Sequence, residues 1–160
     1  MLPEIKLLKI LTQRGLTLGI AESCTGGLLS NRITNLSGSS KVFLLGTVTY
    51  TNESKSKILH VPKQLMKTQG AVSVHTAKAM AEGIRRLSGA SLGVSLTGIA
   101  GPAGGTKDKP IGTVFIGISS GKKTFAAKLN FSGNRLEIKR KATGKAITML
   151  LHYLALNSTL

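Results

Sequence analysis

Leu16-Thr17-Leu18-Gly19-Ile20-Ala21-Glu22-Ser23-Cys24-Thr25-Gly26-Gly27 is the stretch that decides the fold. Leu16 to Ala21 is a short apolar run of strand length, and two glycines follow it almost at once. The pattern predicts a buried strand that feeds a helix over 25–35, with Gly26 and Gly27 in the helix's first turn. A strand that delivers the chain straight into a helix is the opening of an α/β layered domain.

The flanks continue the alternation. Apolar residues recur at helical spacing from Pro3 to about Arg14, with Gly15 as the stop. Val42 to Thr51 is apolar and β-branched, and at least its second half reads as a strand. Asn52 is placed to cap a short helix toward Leu59, and Pro62 opens another toward Gln69. Ser73 caps a helix that runs to about Leu87, and Ser91 to Thr97 is a strand. A long Gly/Pro loop covers 98–110. Gly112 to Ser119 and Lys123 to Phe131 read as a hairpin, and Asn134 caps a long C-terminal helix. The expected architecture is a three-layer α/β/α sandwich. Its sheet is mixed and mostly parallel, with one antiparallel strand near the end. Three loops follow strands, at 22–27, 50–55 and 98–105, and parallel strands would bring them to one face, where such folds bind ligands.

Composition sets the outer limits. The chain has 160 residues and 41% hydrophobic content, the profile of one globular domain, 1–160. A single cysteine excludes an internal disulfide framework and a Cys-based zinc site, and the three histidines lie far apart and form no metal-ligand pair. No apolar run reaches membrane-spanning length, and Lys6 and Lys9 interrupt the only candidate leader, so a reducing cytoplasm is the expected compartment. The net charge of +16 points first to nucleic acid. With no Trp and 4% aromatics, however, base-stacking platforms are scarce and the cations are spread along the chain. A basic module that binds nucleotides or nucleic acid without chemistry stands as the alternative to an enzyme.

Four segments carry possible chemistry. In Ala21–Gly27, Ser23, Cys24 and Thr25 each offer a nucleophile, and N–H groups at the helix start offer an anion or oxyanion site. Cys24 reads as a small buried residue, with a reactive thiol as the alternative. In Tyr50–Lys55, Tyr50 and Lys55 stand near a strand end; a lysine whose pKa is lowered serves as a base, and a tyrosine relays or orients the proton. In Thr97–Thr106, four glycines permit close backbone approach to a phosphate or other polar ligand, with Lys107 and Lys109 beside them. In Phe131–Arg135, Arg135 opens the last helix, placed to reach a carboxylate or phosphate.

Jointly these segments resemble one family: the C-terminal domain of CinA, the competence/damage-inducible protein, and its stand-alone form, the nicotinamide-nucleotide amidases. AESCTGG at 21–27, YTNESK at 50–55, GAVS at 70–73, TGIAGPAGGT at 97–106 with KPIGTVF at 109–115, and FSGNR at 131–135 stand in the family's order. The resemblance spans 16–151. It implies a three-layer domain that deamidates nicotinamide mononucleotide to nicotinate mononucleotide and ammonia, as a homodimer and without metal or cofactor. By the same resemblance Ser23 is the nucleophile, and Lys55 and Tyr50 supply the base and proton relay. The resemblance also places Thr97 against the substrate near the reacting group, with Ser40 and Arg135 contributing to nucleotide binding. From the loops themselves, the N–H groups of Thr25, Gly26 and Gly27 are expected to stabilise the oxyanion, and Gly98, Gly101, Gly104 and Gly105 to line the substrate site. The chain departs from the family at Val74 and His75, where two acids are usual, at Asn134 in place of an aspartate, and at Lys139 in place of an arginine.

Overall fold

A computed structural model describes residues 1–157. Five strands, β1 (Leu18–Glu22), β2 (Phe43–Val48), β3 (Leu92–Gly98), β4 (Thr113–Ser120) and β5 (Thr124–Asn130), form one sheet in the order β2-β1-β3-β4-β5. β1 pairs in parallel with both β2 and β3, and β4 is antiparallel to both of its neighbours. β4 is therefore the one strand running against the rest. The mixed, mostly parallel sheet expected from the sequence is the observed one.

Six α-helices cover the two faces: α1 (Pro3–Arg14), α2 (Leu28–Thr34), α3 (Asn52–Leu59), α4 (Lys63–Gln69), α5 (Val74–Ser88) and α6 (Arg135–Leu156). α1, α2 and α6 form one layer, whose core includes Leu7, Leu11, Leu29, Ile33, Ile147 and Leu150. α5 lies on the opposite face with α3 and α4, around Leu59, Met66, Met80 and Ile84. With helices on both sides, every residue of β1 is buried, which is why that strand reads as an unbroken apolar run rather than an alternation. None of the described helices is long and apolar enough to cross a membrane.

Boundaries move where side chains take the caps. Thr51, not Asn52, caps α3, and it exchanges hydrogen bonds with Ser54. Ser73 and Asn134 cap α5 and α6 as expected, the latter in a capping box with Glu137. Gly26 and Gly27 lie outside α2, with φ of 62° and 96°. Both angles belong to the left-handed region that glycine enters freely, so the chain makes a tight turn here and the helix begins only at Leu28.

Candidate active site

The order β2-β1-β3 places a topological switch between β1 and β3, because the chain leaves β1 in one direction and returns past it in the other. In open α/β sheets the crevice beyond the carboxyl ends of such strands is where ligands bind. Ser23 immediately follows β1, and Thr97 is the next-to-last residue of β3. A cavity of about 280 Å³ opens at this point, lined by Ser23, Tyr50, Lys55, Thr97, Gly101 and Arg135 among others. Tertiary folding thus brings five separate segments of the chain to one site.

The turn after β1 is organised by Glu22. Its side chain is fully buried. Oε2 accepts from Thr25 Oγ1 at 2.5 Å, Gly27 N at 3.2 Å and Leu29 N at 3.0 Å. Oε1 accepts from Ser30 N at 2.8 Å and Ser30 Oγ at 2.9 Å. A carboxylate at a helix N-terminus satisfies orphan N–H groups and sits favourably in the helix dipole. This corrects the expectation that Thr25, Gly26 and Gly27 hold the oxyanion. The Gly27 N–H is taken by Glu22, the Gly26 N–H by the Ser23 carbonyl at 3.1 Å, and none of the three residues lines the cavity. Sequence reading gave Glu22 no role; the available signal was a carboxylate ending a fully apolar strand directly before a helix.

The three candidate nucleophiles are sorted by their surroundings. The Thr25 hydroxyl is committed to Glu22. Burial pushes the Cys24 thiol up to about 11, so it stays protonated and unreactive near neutral pH. Ser23 Oγ alone meets a base: Lys55 Nζ lies 2.9 Å away. Lys55 is buried, 2% exposed, and its ammonium also donates to the carbonyls of Thr49 at 2.9 Å and Tyr50 at 3.1 Å. No carboxylate among the described residues pairs with it. Desolvation therefore lowers its pKa below the ordinary 10.5.

The geometry at Nζ suits a proton that moves. Two of its three partners are carbonyls, which only accept; the third is a hydroxyl, which accepts or donates. A neutral amine has two N–H bonds for the carbonyls and one lone pair for the Ser23 proton. A protonated amine donates to all three. Both protonation states are satisfied without rearrangement.

Tyr50 takes a different place from the one expected. Its backbone carbonyl orients Lys55, whereas its hydroxyl accepts from Arg135 Nη2 at 2.9 Å. Arg135 Nη1 donates to the Gly101 carbonyl at 2.7 Å. The guanidinium thus ties the glycine loop to Tyr50 at the mouth of the cavity. Gly101 has φ of 75°, and a Cβ there would lie 2.6 Å from Ile111 Cγ2, so the loop's path requires glycine at this position. Thr97, buried at the end of β3, donates to the Ala71 carbonyl at 2.9 Å and so fixes the GAVS segment as one wall.

Gly98 and Gly104 also line the cavity, and Gly105 does not. The side chain of Lys109 reaches toward Gln69 O instead, and Lys107 is likewise outside the cavity. Ser40 is exposed in a single 3-10 turn (Ser39–Lys41) that leads into the amino end of β2. That is the opposite end of the sheet from Ser23, so the chain does not bring Ser40 to the cavity. Asn52, Ala71 and Val72 line it and were missed. In the sequence Asn52 offers only a helix cap, and GAVS carries no chemistry-bearing side chain that marks a role. Among the described residues no cluster of His, Cys, Asp and Glu is arranged to hold a metal.

Fold and site together define a class: an α/β/α sandwich in which a serine at the strand switch faces a buried lysine rather than a histidine. The comparisons narrow the class. The family model of the CinA C-terminal domain matches residues 3–154. A competence-damage inducible protein of Caldanaerobacter subterraneus subsp. tengcongensis is 51% identical over 148 residues, 92% of this chain and 36% of that protein. A CinA-like protein of Syntrophus aciditrophicus is 49% identical over 150 residues, 93% and 36%. The chain thus spans little more than a third of these relatives' length. Among solved structures, a competence/damage inducible protein of Agrobacterium tumefaciens superposes with a TM-score of 0.91 at 37% identity, covering 94% of this chain and 92% of that one. Competence damage-inducible protein A of Klebsiella pneumoniae gives 0.93 at 31%, covering 96% and 95%. The chain belongs to the CinA family, to which its C-terminal-domain model assigns it.

Proposed function

We propose that this chain is an amidohydrolase that deamidates nicotinamide mononucleotide, with Ser23 as nucleophile and Lys55 as general base. The observation that carries the reading is the 2.9 Å contact between Lys55 Nζ and Ser23 Oγ in a buried setting with no carboxylate partner. Neutral Lys55 takes the Ser23 proton as Oγ attacks the carboxamide carbon. The C–N bond then breaks, and the lysine returns the proton to the departing nitrogen, which leaves as ammonia. Water, deprotonated by the same amine, hydrolyses the acyl-enzyme to the carboxylate and restores the Ser23 hydroxyl. Among the N–H groups of residues that line the cavity, those of Cys24 beside the nucleophile and of Gly101, Ala103 and Gly104 in the glycine loop are the donors for the oxyanion. Arg135 meets the nucleotide phosphate at the mouth.

Purified protein incubated with nicotinamide mononucleotide should release one ammonia per nicotinate mononucleotide formed. Ser23→Ala should abolish release while its thermal transition stays within a few degrees of the parent. Normal turnover by Ser23→Ala would remove the nucleophile assignment. No turnover by the parent, together with micromolar nucleic-acid binding at physiological salt, would favour the non-catalytic basic module. A homodimer belongs to the same proposal: Leu44, Val48 and Tyr50 of edge strand β2 and the loop after it are exposed apolar residues, and sedimentation tests whether a second copy covers them.

A further inference from the structure

A second cavity, much larger than the one at Ser23, lies elsewhere in the molecule. A groove of about 910 Å³ lies between the β4–β5 hairpin and the carboxyl-terminal half of α6, in the size range of small-molecule sites. Ser120, at the hairpin, pairs with Leu92 at the start of β3. The groove is therefore at the opposite end of the sheet from Ser23. Counted along α6, His152 lies roughly 26 Å from Arg135 at a helical rise of about 1.5 Å per residue.

Its floor and its rim differ in character. The floor is Phe125, Met149 and Tyr153. The two rings are 5.5 Å apart, and the Tyr153 hydroxyl is turned inward to Ser120 Oγ at 2.8 Å, which leaves ring carbon facing the groove. The rim carries Lys122 and Lys123 from the hairpin and Lys145 from α6, all exposed. None of the chain's six Asp and Glu residues lines the groove. No ion pair among the described residues engages these three lysines. An apolar floor under a rim of one sign selects a ligand with an apolar body and a negative group, since neither water nor a neutral solute satisfies both parts.

We propose that this groove is a second binding site, for a small organic anion with an aromatic or similarly broad apolar body. Its carboxylate, sulfonate or phosphate faces Lys122, Lys123 and Lys145, and its body lies on Phe125, Met149 and Tyr153. The site is independent of the Ser23 chemistry.

The test titrates the folded chain with anilinonaphthalene sulfonate and, in parallel, with its uncharged counterpart phenylnaphthylamine. The expected result is one sulfonate site per chain, with the uncharged probe at least about tenfold weaker. The double variant Lys123→Glu, Lys145→Glu changes only exposed side chains; it should weaken the sulfonate at least about tenfold and leave the uncharged probe within about twofold. Met149→Gln, which makes the floor polar without adding charge, should weaken both probes. Ser23→Ala should change neither. Amide chemical-shift changes on adding the sulfonate should fall at 122–125 and 145–157. Sulfonate binding that survives the double reversal, or shift changes centred on the Ser23 cavity, would overturn the proposal. So would a change of sedimentation in the double variant with probe binding intact, which would assign the groove to a second copy of the chain.

Discussion

Glu22→Gln isolates what the buried carboxylate contributes, because it keeps the shape and removes the charge and one acceptor. The carboxylate accepts five hydrogen bonds, three at Oε2 and two at Oε1. If the amide oxygen replaces Oε2, the NH2 group faces Ser30 N and Ser30 Oγ. The hydroxyl rotates to accept, but the Ser30 N–H is stranded against another donor. If the amide is flipped, the N–H groups of Gly27 and Leu29 are both stranded, so the first orientation is preferred. One buried N–H left unpaired costs about 1–3 kcal/mol. The three bonds kept at the other oxygen lose their charge assistance, and the helix start loses its anion. Relief from burying a charge offsets part of this. The net loss is about 2–3 kcal/mol, or a fall in Tm of about 4–12 °C for a chain of this size. Urea unfolding followed by circular dichroism, with thermal melts beside it, measures both quantities. A loss below about 0.5 kcal/mol would refute the assignment of Glu22 as the organiser of the Ser23 turn.

Four further outcomes are expected. Tyr50→Phe keeps the carbonyl that orients Lys55 and removes only the bond to Arg135, so KM for nicotinamide mononucleotide should rise several-fold with kcat nearly unchanged; a kcat loss of about a hundredfold would instead make the hydroxyl a proton relay. Because burial holds the Lys55 pKa below 10.5 in the folded chain, the unfolded chain binds the extra proton between the two values. Unfolding free energy should therefore climb with pH through that window, kcat/KM should rise as Lys55 loses its proton at the lower value, and Lys55→Met should abolish both effects. Cys24→Ala should retain activity within a few-fold, and the native thiol should resist iodoacetamide near neutral pH, since burial keeps it protonated. If the +16 charge steers an anionic nucleotide, kcat/KM should fall as salt rises; a flat response would separate the charge from catalysis.

The sequence by itself determined the architecture. Strands and helices here have distinct apolar periods, and β1 is apolar throughout because helices cover both of its faces. The caps at Ser73 and Asn134 and the stop at Gly15 are local hydrogen-bond and backbone requirements, so they were legible residue by residue. The same holds for Ser23, Lys55, Thr97, Gly101 and Arg135 as residues worth watching, since their motifs are contiguous.

What joined them was legible only in three dimensions. Whether Ser23, Cys24 or Thr25 meets a base depends on Lys55, 32 residues away, and on Glu22 occupying the donors of the Gly26–Gly27 turn. The expected oxyanion role of that turn failed for this reason: a buried carboxylate competes for N–H groups that a motif alone leaves free. Tyr50 offered a hydroxyl in the sequence, but its site role here rests on its carbonyl and on a bond to Arg135, 85 residues on. Ser40 lies near Tyr50 in sequence, yet β2 intervenes and carries it to the far end of the sheet. The 122–157 groove has no motif at all. It arises because a hairpin and a helix end lie side by side, and such long-range packing has no local period to betray it.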